Sequence, residues 1–233
     1  MIGDIALVGG EEFRNGCEEM DLNIMKSSGQ NPANVLIIPT AAVTGPEKAS
    51  NDGARHFSGL GGITKRLMVL DNKHANNEEF VKQLKGSGVI YFTGGSPDHL
   101  LTSLRGSLLW EQILVERSNG AVIAGSSAGA MVLGQMMRRP RLGGWVEALS
   151  AVPGIATLPH HENSHPDEIY RQLEAQVNSG LTILGIDART GCIGQSGNWR
   201  VVGFGKVTKY DQSGWSIYES GTDFITIAST SIY

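Results

Sequence analysis

Residues 121–134 read AVIAGSSAGAMVLG, and this stretch decides the fold class. It begins with a continuous apolar run, which is typical of a strand buried on both faces of a parallel sheet. A Gly-x-Ser-x-Gly pattern with Ser127 at its centre follows, and the residues after it suit a helix. A strand, a sharp turn and a helix in this order expose a serine hydroxyl to a substrate. The stretch therefore predicts an α/β protein with Ser127 as a candidate nucleophile.

The pairing of a short apolar run with a loop of small residues recurs through the first half of the chain. The runs are residues 5–8, 35–38 and 89–92, followed by Gly9-Gly10, Pro39-Thr40 and Thr93-Gly94-Gly95. Apolar spacing and start signals predict helices between them, at 11–25, 77–84, 97–104, 110–116, 129–137 and 167–177. This alternation predicts a doubly wound, mostly parallel sheet with helices on both faces.

The last third of the chain has a different pattern. Short apolar segments are separated by turn residues, at 181–186, 191–195, 199–202, 206–210, 215–218 and 224–227. Residues 196–198 and 211–214 have the composition of hairpin turns. We therefore expect antiparallel strands that extend the C-terminal edge of the sheet. Because no repeat or linker divides the chain, residues 1–233 are predicted to form one α/β domain.

Composition limits the classes of function. The 233 residues carry a formal net charge of −4, which gives no general attraction to nucleic acid or to an anionic membrane. The first residues lack the features of a signal peptide, and no apolar stretch approaches the about 20 residues that span a bilayer. The two cysteines make no disulfide framework. We expect a cytoplasmic protein, and a homodimer is among the assemblies that the sequence allows.

Ser126 and Ser127 are both candidates for the nucleophile, and Ser127 is favoured. Side chains alternate in direction along a strand, so Ser126 should point into the protein while Ser127 points outward. The flanking Gly125 and Gly129 allow the strand and the helix to approach closely around a strained turn. A serine needs a base to take its proton, and the residues alone leave His160 and His161 as nearly equal candidates.

An oxyanion hole is predicted beside Ser127. Acyl transfer places negative charge on the carbonyl oxygen of the substrate, and nearby backbone N–H groups stabilise it. The N–H of Ala128 directly follows the nucleophile. The second donor is expected from the loop of Gly94 and Gly95, where the absence of a side chain allows close approach. Of these two glycines, Gly95 is the first choice.

Five stretches, in order along the chain, carry a family resemblance. They are Ile38-Pro39-Thr40-Ala41, the segment IYFTGGSPDHL at 90–100, GSSAGA at 125–130, Leu158-Pro159-His160-His161 and LGIDART at 184–190. Together they resemble motifs of the cyanophycinase and aspartyl dipeptidase (peptidase E) family of serine peptidases. That fold is similar to the class I glutamine amidotransferase domain, with serine in place of cysteine.

The resemblance implies roles for the residues around Ser127. It makes His160 the base, 33 residues after Ser127, with His161 lining the pocket. The cyanophycinase branch has a glutamate where this chain has Ala188, so the third catalytic member must come from elsewhere. Glu147, 20 residues after Ser127, and Asp187 are the candidates. Losing such an acid can cost about 10⁴-fold in rate, so its identity matters.

The resemblance also implies a small peptide substrate, acidic or β-aspartyl, and no metal or cofactor. A cationic group for such a substrate is expected from Arg138, Arg139 or Arg189, with Ser96 and His99 as further contacts. An amidase or esterase on the same scaffold is an alternative, as is a binding homologue without the triad acid. A glutamine amidotransferase proper is disfavoured because neither Cys17 nor Cys192 lies in the elbow.

Overall fold

The computed structural model describes residues 1–195 and 197–226. Two predicted features extend beyond these ranges, because Ser196 of a predicted hairpin turn and Ile227 at the end of the last predicted strand lie outside them. The strands of the described residues are β1 (Ile5–Val8), β2 (Asn34–Ile38), β3 (Ile63–Arg66), β4 (Val89–Phe92), β5 (Val122–Ser126), β6 (Met136–Arg138), β7 (Trp145–Glu147), β8 (Ile155–Pro159), β9 (Thr182–Ile186), β10 (Thr190–Gln195), β11 (Asn198–Gly203), β12 (Lys206–Asp211), β13 (Gly214–Glu219) and β14 (Asp223–Ile225). The helices of these residues are α1 (Glu18–Ser27), α2 (Pro46–Gly59), α3 (Asn72–Ala75), α4 (Glu78–Val81), α5 (Pro97–Leu104), α6 (Leu108–Ser118), α7 (Ala128–Leu133) and α8 (Pro166–Asn178).

A central sheet organises the fold in the strand order β14-β11-β10-β1-β5-β4-β2-β3. Its β1, β5, β4, β2 and β3 are parallel, while β10, β11 and β14 continue one edge in antiparallel fashion. Every residue of β1, β4 and β5 is buried, as expected for strands covered on both faces. The mostly parallel α/β class is therefore confirmed.

Part of the C-terminal region departs from the prediction. Strands β9, β12 and β13 were expected at the edge of the central sheet, but they form a second sheet with β8 in the order β13-β12-β9-β8. The reason lies in α8, a 13-residue helix that connects β8 to β9. Such a crossover brings the second strand parallel to the first, and β8 and β9 are indeed paired in parallel.

Apolar clusters cover both faces of the central sheet. Alternate residues of β1 point to opposite sides, so that Ile5 and Leu7 join one cluster while Ala6 and Val8 join the other. The first cluster includes side chains of α5, α6 and α7, and the second includes side chains of α1 and α2. The first also contains Leu184 of β9. Because this cluster joins the two sheets, we infer a single domain.

Two predicted helices are corrected, and one helix was missed. The helix expected at 11–25 begins only at Glu18, because Glu11 and Phe13 have positive φ and belong to a loop. The helix expected at 129–137 ends at Leu133, and β6 pairs with β7 beyond it. Helix α2 was not predicted because most of its residues are polar, small or charged.

Within the described ranges, no helix combines the length and apolar character that crossing a bilayer requires.

Candidate active site

The turn after β5 holds Ser127 in a strained conformation. Ser127 has φ 49° and ψ −106°, which non-glycine residues rarely adopt. The turn is this tight because strand and helix nearly touch: a Cβ on Gly125 would lie 2.4 Å from the carbonyl carbon of Gly129. A Cβ on Gly129 would in turn lie 2.7 Å from the Phe92 carbonyl oxygen. The N–H of Ser127 donates to Val8 of β1 at 2.9 Å and fixes the turn against the sheet.

His160 meets this serine from the end of β8. Its Nε2 lies 3.2 Å from Ser127 Oγ, within reach for proton transfer. The N–H of His160 donates to the Gly9 carbonyl oxygen at 2.8 Å, which ties this residue to the loop after β1. Gly10 lies directly against the ring, where a Cβ would be 2.2 Å from Cε1. The absence of a side chain at Gly10 therefore makes room for the imidazole.

Two backbone N–H groups beside Ser127 are available to an oxyanion. Ala128 is the first residue of α7, and N–H groups in a first turn have no acceptor within the helix. Gly95 has φ 140° and lies so close to Ala41 that a Cβ would be 2.1 Å from its carbonyl oxygen. In the described part of the chain, neither N–H has a hydrogen-bond partner. The N–H of Gly94 differs, because it donates to the Glu12 carboxylate at 2.7 Å.

Comparison with known protein families gives a match over most of the chain. Residues 5–202 match the model of peptidase family S51. The chain belongs to peptidase family S51. It is a serine peptidase, and this membership favours that function over the amidase, esterase and binding alternatives.

Solved structures similar to this S51 peptidase share its fold. The crystal structure of a peptidase from an acI-B1 Actinobacterium has a TM-score of 0.81 and 28% identity, covering 97% of this chain and 98% of that one. The 1.5 Å structure of a putative peptidase E protein from Listeria monocytogenes EGD-e has a TM-score of 0.59 and 19% identity, covering 94% and 99%. No curated protein matches the sequence significantly.

Neither acid that the sequence offers as a third member contacts His160. Glu147 is exposed on β7 of the small β6–β7 hairpin, and its carbonyl oxygen accepts from Arg105. Asp187 is buried, and its Oδ2 accepts from the N–H of Lys206 at 3.2 Å. Burial raises the pKa of Asp187. Both predictions are therefore corrected, since Glu147 lies on an exposed hairpin and the Asp187 carboxylate is bonded to β12.

Glu162, which the sequence analysis missed, lies in the loop that carries His160. Its Oε2 accepts from the N–H of Ala188 at 2.9 Å, at the position where the family resemblance expects a glutamate. Burial alone would raise the pKa of Glu162, but hydrogen bonds from Ala188 and its own N–H, with the nearby His160, lower it. The only signal in the sequence is an acid two residues after His160.

Three predicted substrate contacts have structural partners instead. His161 is only 5% exposed, and its Nε2 lies 2.7 Å from the hydroxyl of Tyr210. Burial lowers the pKa of His161 to about 4, so the ring is neutral. His99 Nε2 lies 2.7 Å from the Leu70 carbonyl oxygen. Ser96 caps α5 by accepting from a backbone N–H. These predictions are corrected because each polar group is used inside the fold.

The predicted cationic groups also lie elsewhere. Arg138 is exposed on β6, and Arg139 pairs with Asp98 of α5 at 2.7 Å. The guanidinium of Arg189 lies over the ring of Phe204, 5.4 Å from its centroid. None of these arginines lines the cavity that contains Ser127 and His160. The prediction fails because it relied on position in sequence.

That cavity has a volume of about 810 Å³ and is lined by the loop after β1, by α2 with the loop before it, and by Gly94 and Gly95. Its cations are Arg14, Lys48 and Arg55. Arg14 pairs with Glu11, while Lys48 and Arg55 both pair with Asp52. Lys48 and Arg55 were missed because α2 was not predicted, and Arg14 was missed because it lies in a loop where a helix was predicted.

A second histidine, besides His160, lines this cavity. His56 Nε2 lies 2.8 Å from Oδ2 of the buried Asp21, which joins α2 to α1. Burial raises the pKa of Asp21 despite this neighbour.

Among the described residues, no group of three or more histidine, cysteine or acidic side chains is arranged to hold a metal ion.

Proposed function

We propose that this S51 peptidase hydrolyses small peptides through an acyl-enzyme on Ser127, with His160 as the general base and then the general acid. The 3.2 Å contact between Ser127 Oγ and His160 Nε2 carries this proposal. The strained backbone at Ser127 supports it, because sparsely populated conformations of this kind cluster at active sites.

The chemistry follows from the positions of three groups. Ser127 Oγ attacks the peptide carbonyl carbon while His160 Nε2 takes its proton. The carbonyl π electrons move to oxygen, and His160 then gives the proton to the leaving amine as the C–N bond breaks. Water attacks the resulting ester with His160 again as base. The ester C–O bond breaks, a carboxylic acid leaves and Ser127 regains its proton.

The N–H groups of Gly95 and Ala128 donate hydrogen bonds to the negatively charged oxygen in both tetrahedral intermediates. Fixed donors of this kind typically contribute about 10²–10³-fold each to the rate. Among the residues that the structure describes, neither N–H has a protein acceptor, which supports this role, whereas the N–H of Gly94 donates to Glu12. Gly95 is therefore the better choice of the two glycines.

Glu162 is the acid that we assign to His160. Its carboxylate is near enough for the charge of His160 to lower the pKa of Glu162. By the same attraction, the carboxylate stabilises the imidazolium that forms when Ser127 attacks. Glu162 thus acts on His160 through its charge, in place of the glutamate that Ala188 replaces.

Small peptides, including Asp-containing and β-aspartyl ones, are the proposed substrates. A cavity of about 810 Å³ holds a short peptide. Lys48 and Arg55 of α2 line the cavity, and we assign to them the binding of an acidic group of the substrate in exchange for their contacts with Asp52. Family membership supports peptides over other acyl compounds.

A dipeptide panel tests the proposal. Purified protein is incubated with α- and β-linked dipeptides, and Ser127→Ala is compared with the unchanged chain. We expect the variant to lose about 10⁴-fold or more in kcat/KM. A fluorophosphonate probe should label the unchanged chain and not the variant. Undiminished hydrolysis in Ser127→Ala would show that Ser127 is not the nucleophile. A matched panel of esters and anilides then distinguishes peptidase from esterase action.

A further inference from the structure

The sequence contains two Asn-Gly pairs, Asn15-Gly16 and Asn119-Gly120. At such a pair, the backbone nitrogen of the glycine can attack the side-chain amide carbon of the asparagine, because glycine has no side chain to hinder the approach. Whether this reaction occurs in a folded protein depends on how the structure holds the nitrogen and the amide. The two pairs are held differently, and the difference singles out Asn15.

Asn15 and Gly16 lie in the exposed loop between β1 and α1. They are the central residues of a turn, which the N–H of Cys17 closes by donating to the Arg14 carbonyl oxygen at 3.0 Å. The Asn15 side chain is exposed. The space around Gly16 is open as well, since the nearest neighbour of a Cβ there would be an Arg189 side-chain atom at 3.8 Å. The asparagine amide and the glycine nitrogen therefore have room to approach each other.

A carboxylate contacts the attacking nitrogen of this pair. Glu18 Oε2 accepts from the N–H of Gly16 at 2.7 Å, which is within reach for proton transfer. An amide nitrogen becomes a nucleophile only as its proton leaves, so a base at this point is what the attack requires. Hydrogen bonds from its own N–H and from Gly16 lower the pKa of Glu18, so this side chain is the carboxylate at neutral pH.

The second pair, Asn119-Gly120, lacks such a base. The N–H of Gly120 donates to the Arg117 carbonyl oxygen at 2.9 Å, and a carbonyl oxygen accepts a hydrogen bond without taking up the proton. Asn119 follows the last residue of α6, and its own N–H is bonded to the carbonyl oxygens of Val115 and Glu116. Because the end of the helix holds both residues, this pair is an internal control.

We propose that Asn15, Gly16 and Glu18 form a self-modification site at which Asn15 is converted to aspartate and isoaspartate. Glu18 takes the proton of the Gly16 N–H as that nitrogen attacks Cγ of Asn15. The new C–N bond closes a cyclic succinimide, and the bond from Cγ to the side-chain nitrogen breaks. This nitrogen leaves as ammonia with the proton that Glu18 returns.

Water then opens the succinimide at one of its two C–N bonds. The hydroxyl of the water goes to the carbonyl carbon, and its proton goes to the nitrogen of Gly16. If the bond at Cγ breaks, Asn15 becomes an ordinary aspartate. If the bond at the backbone carbonyl carbon breaks, the main chain runs through Cγ and the product is isoaspartate. Ammonia and one water molecule balance the reaction, and no other reactant is needed.

Both products change a wall of the catalytic cavity. Each adds a negative charge to the loop, and isoaspartate also lengthens the main chain by one carbon atom. The preceding residue, Arg14, lines the cavity and pairs with Glu11 at 3.2 Å. We therefore expect peptide hydrolysis to slow as Asn15 is converted, an expectation that rests on the proposed function.

Mass spectrometry of aged protein tests the modification. The unchanged protein is kept at neutral pH and physiological temperature in heavy-oxygen water and is then digested. Uptake of heavy oxygen at Asn15 and at Asn119 measures the conversion that occurred during the incubation. Asn15 should convert at least about 10-fold faster than Asn119, because only Asn15 has a base at the attacking nitrogen. Equal rates at the two pairs would overturn the proposal.

Glu18→Gln tests the role of the carboxylate. The glutamine oxygen can still accept from the N–H of Gly16, so the hydrogen bond is kept while the base is lost. We expect conversion of Asn15 to slow about 10-fold. Glu19→Gln, an equal charge change on the exposed face of α1, is the control and should convert at the unchanged rate. An unchanged rate in Glu18→Gln would mean that Glu18 is not the base, and the proposal would be overturned.

Two further variants separate the modification from the peptidase chemistry. Ser127→Ala should convert Asn15 at the unchanged rate, and a dependence on Ser127 would overturn self-modification by Glu18. Asn15→Gln should keep its rate of peptide hydrolysis during an incubation in which the unchanged protein loses activity. Equal losses in both proteins would overturn the link to activity. If the fresh protein hydrolyses no peptide, the proposed function fails, while the mass measurement still decides the modification.

Discussion

The loops after β5 and β1 reach the same site from neighbouring strands, but they are built differently. After β5, the chain turns at Ser127 and enters α7 at the next residue. After β1, it runs through residues 9–17 before α1 begins. The β5 turn is held by backbone atoms in close contact. The β1 loop begins with backbone contacts at Gly9, but from Gly10 onward it is also held by side chains of distant elements.

This difference predicts where substitutions should act. Where backbone meets backbone, an added methyl group has no room to relax, so the cost should appear as lost stability. Where backbone meets a movable side chain, the side chain can shift, and the cost should appear as lost activity. Gly→Ala at Gly125 of the β5 turn is thus expected to act mainly on stability, and Gly→Ala at Gly10 of the β1 loop is expected to lower the activity as well.

The largest effect is expected at Gly125. A Cβ there would lie 2.4 Å from the carbonyl carbon and 2.6 Å from the carbonyl oxygen of Gly129. Gly125→Ala should lower the free energy of unfolding by about 3 kcal/mol or more, measured by urea denaturation. Gly59→Ala is the control, because nothing lies within 4 Å of its Cβ, and it should be neutral or slightly stabilising. Equal stability of the two variants would contradict the backbone account of the turn.

Gly10→Ala should act on the rate. The new Cβ would displace the His160 ring from Ser127, and a shift of about 1 Å can cost about 100-fold in kcat. Gly16→Ala introduces a Cβ at φ 95° in the same loop, with Arg189 as its only neighbour, at 3.8 Å. Both variants should lose stability through positive φ, and only Gly10→Ala should lose kcat. Similar kcat values in the two variants would contradict the claim that Gly10 is needed to position the His160 ring.

The loop after β8 allows a second comparison, because His160 faces the cavity and the next residue, His161, is buried in the fold. His161 has a pKa of about 4 in the folded state, below about 6.5 in the unfolded chain. Between these values the unfolded state binds more protons, so stability is lost as pH falls from about 6.5 to about 4. We expect a loss on the order of 2 kcal/mol that is attenuated in His161→Gln, measured by urea denaturation at each pH. An unchanged slope in this variant would argue against the neutral, buried ring.

Glu162→Gln should have the smallest effect, and on the rate alone. Removing its charge should lower kcat about 10-fold, because the imidazolium that forms on His160 loses a stabilising carboxylate. Glu168→Gln, an exposed change on α8, is the control and should keep the full rate. The lowered pKa of Glu162 means that its charge persists to a lower pH than usual, so the difference should be present throughout neutral pH. Equal kcat values would mean that Glu162 is not the acid that assists His160.

Much of the fold, and the tight turn that carries the proposed nucleophile, could be predicted from the sequence because the deciding constraints are local. Residues 121–134 encode a buried strand, a turn that only small residues permit and a helix start within consecutive positions. Buried apolar runs followed by glycines predicted β1, β4 and β5 in the same way. The adjacency of these strand ends follows from the rule that parallel strands gather their loops at one edge.

The tertiary structure alone decided which polar groups serve the site. Glu12 bonds to Gly94 and to Ser126 across 82 and 114 positions, and nothing in the spacing of these residues indicates the contact. His161 does not line the pocket, because its ring is buried against the hydroxyl of Tyr210, 49 positions away. Whether a carboxylate or an imidazole faces substrate or core depends on where other strands and helices pack. The sequence therefore determined the scaffold and its serine, while long-range packing determined the charges around it.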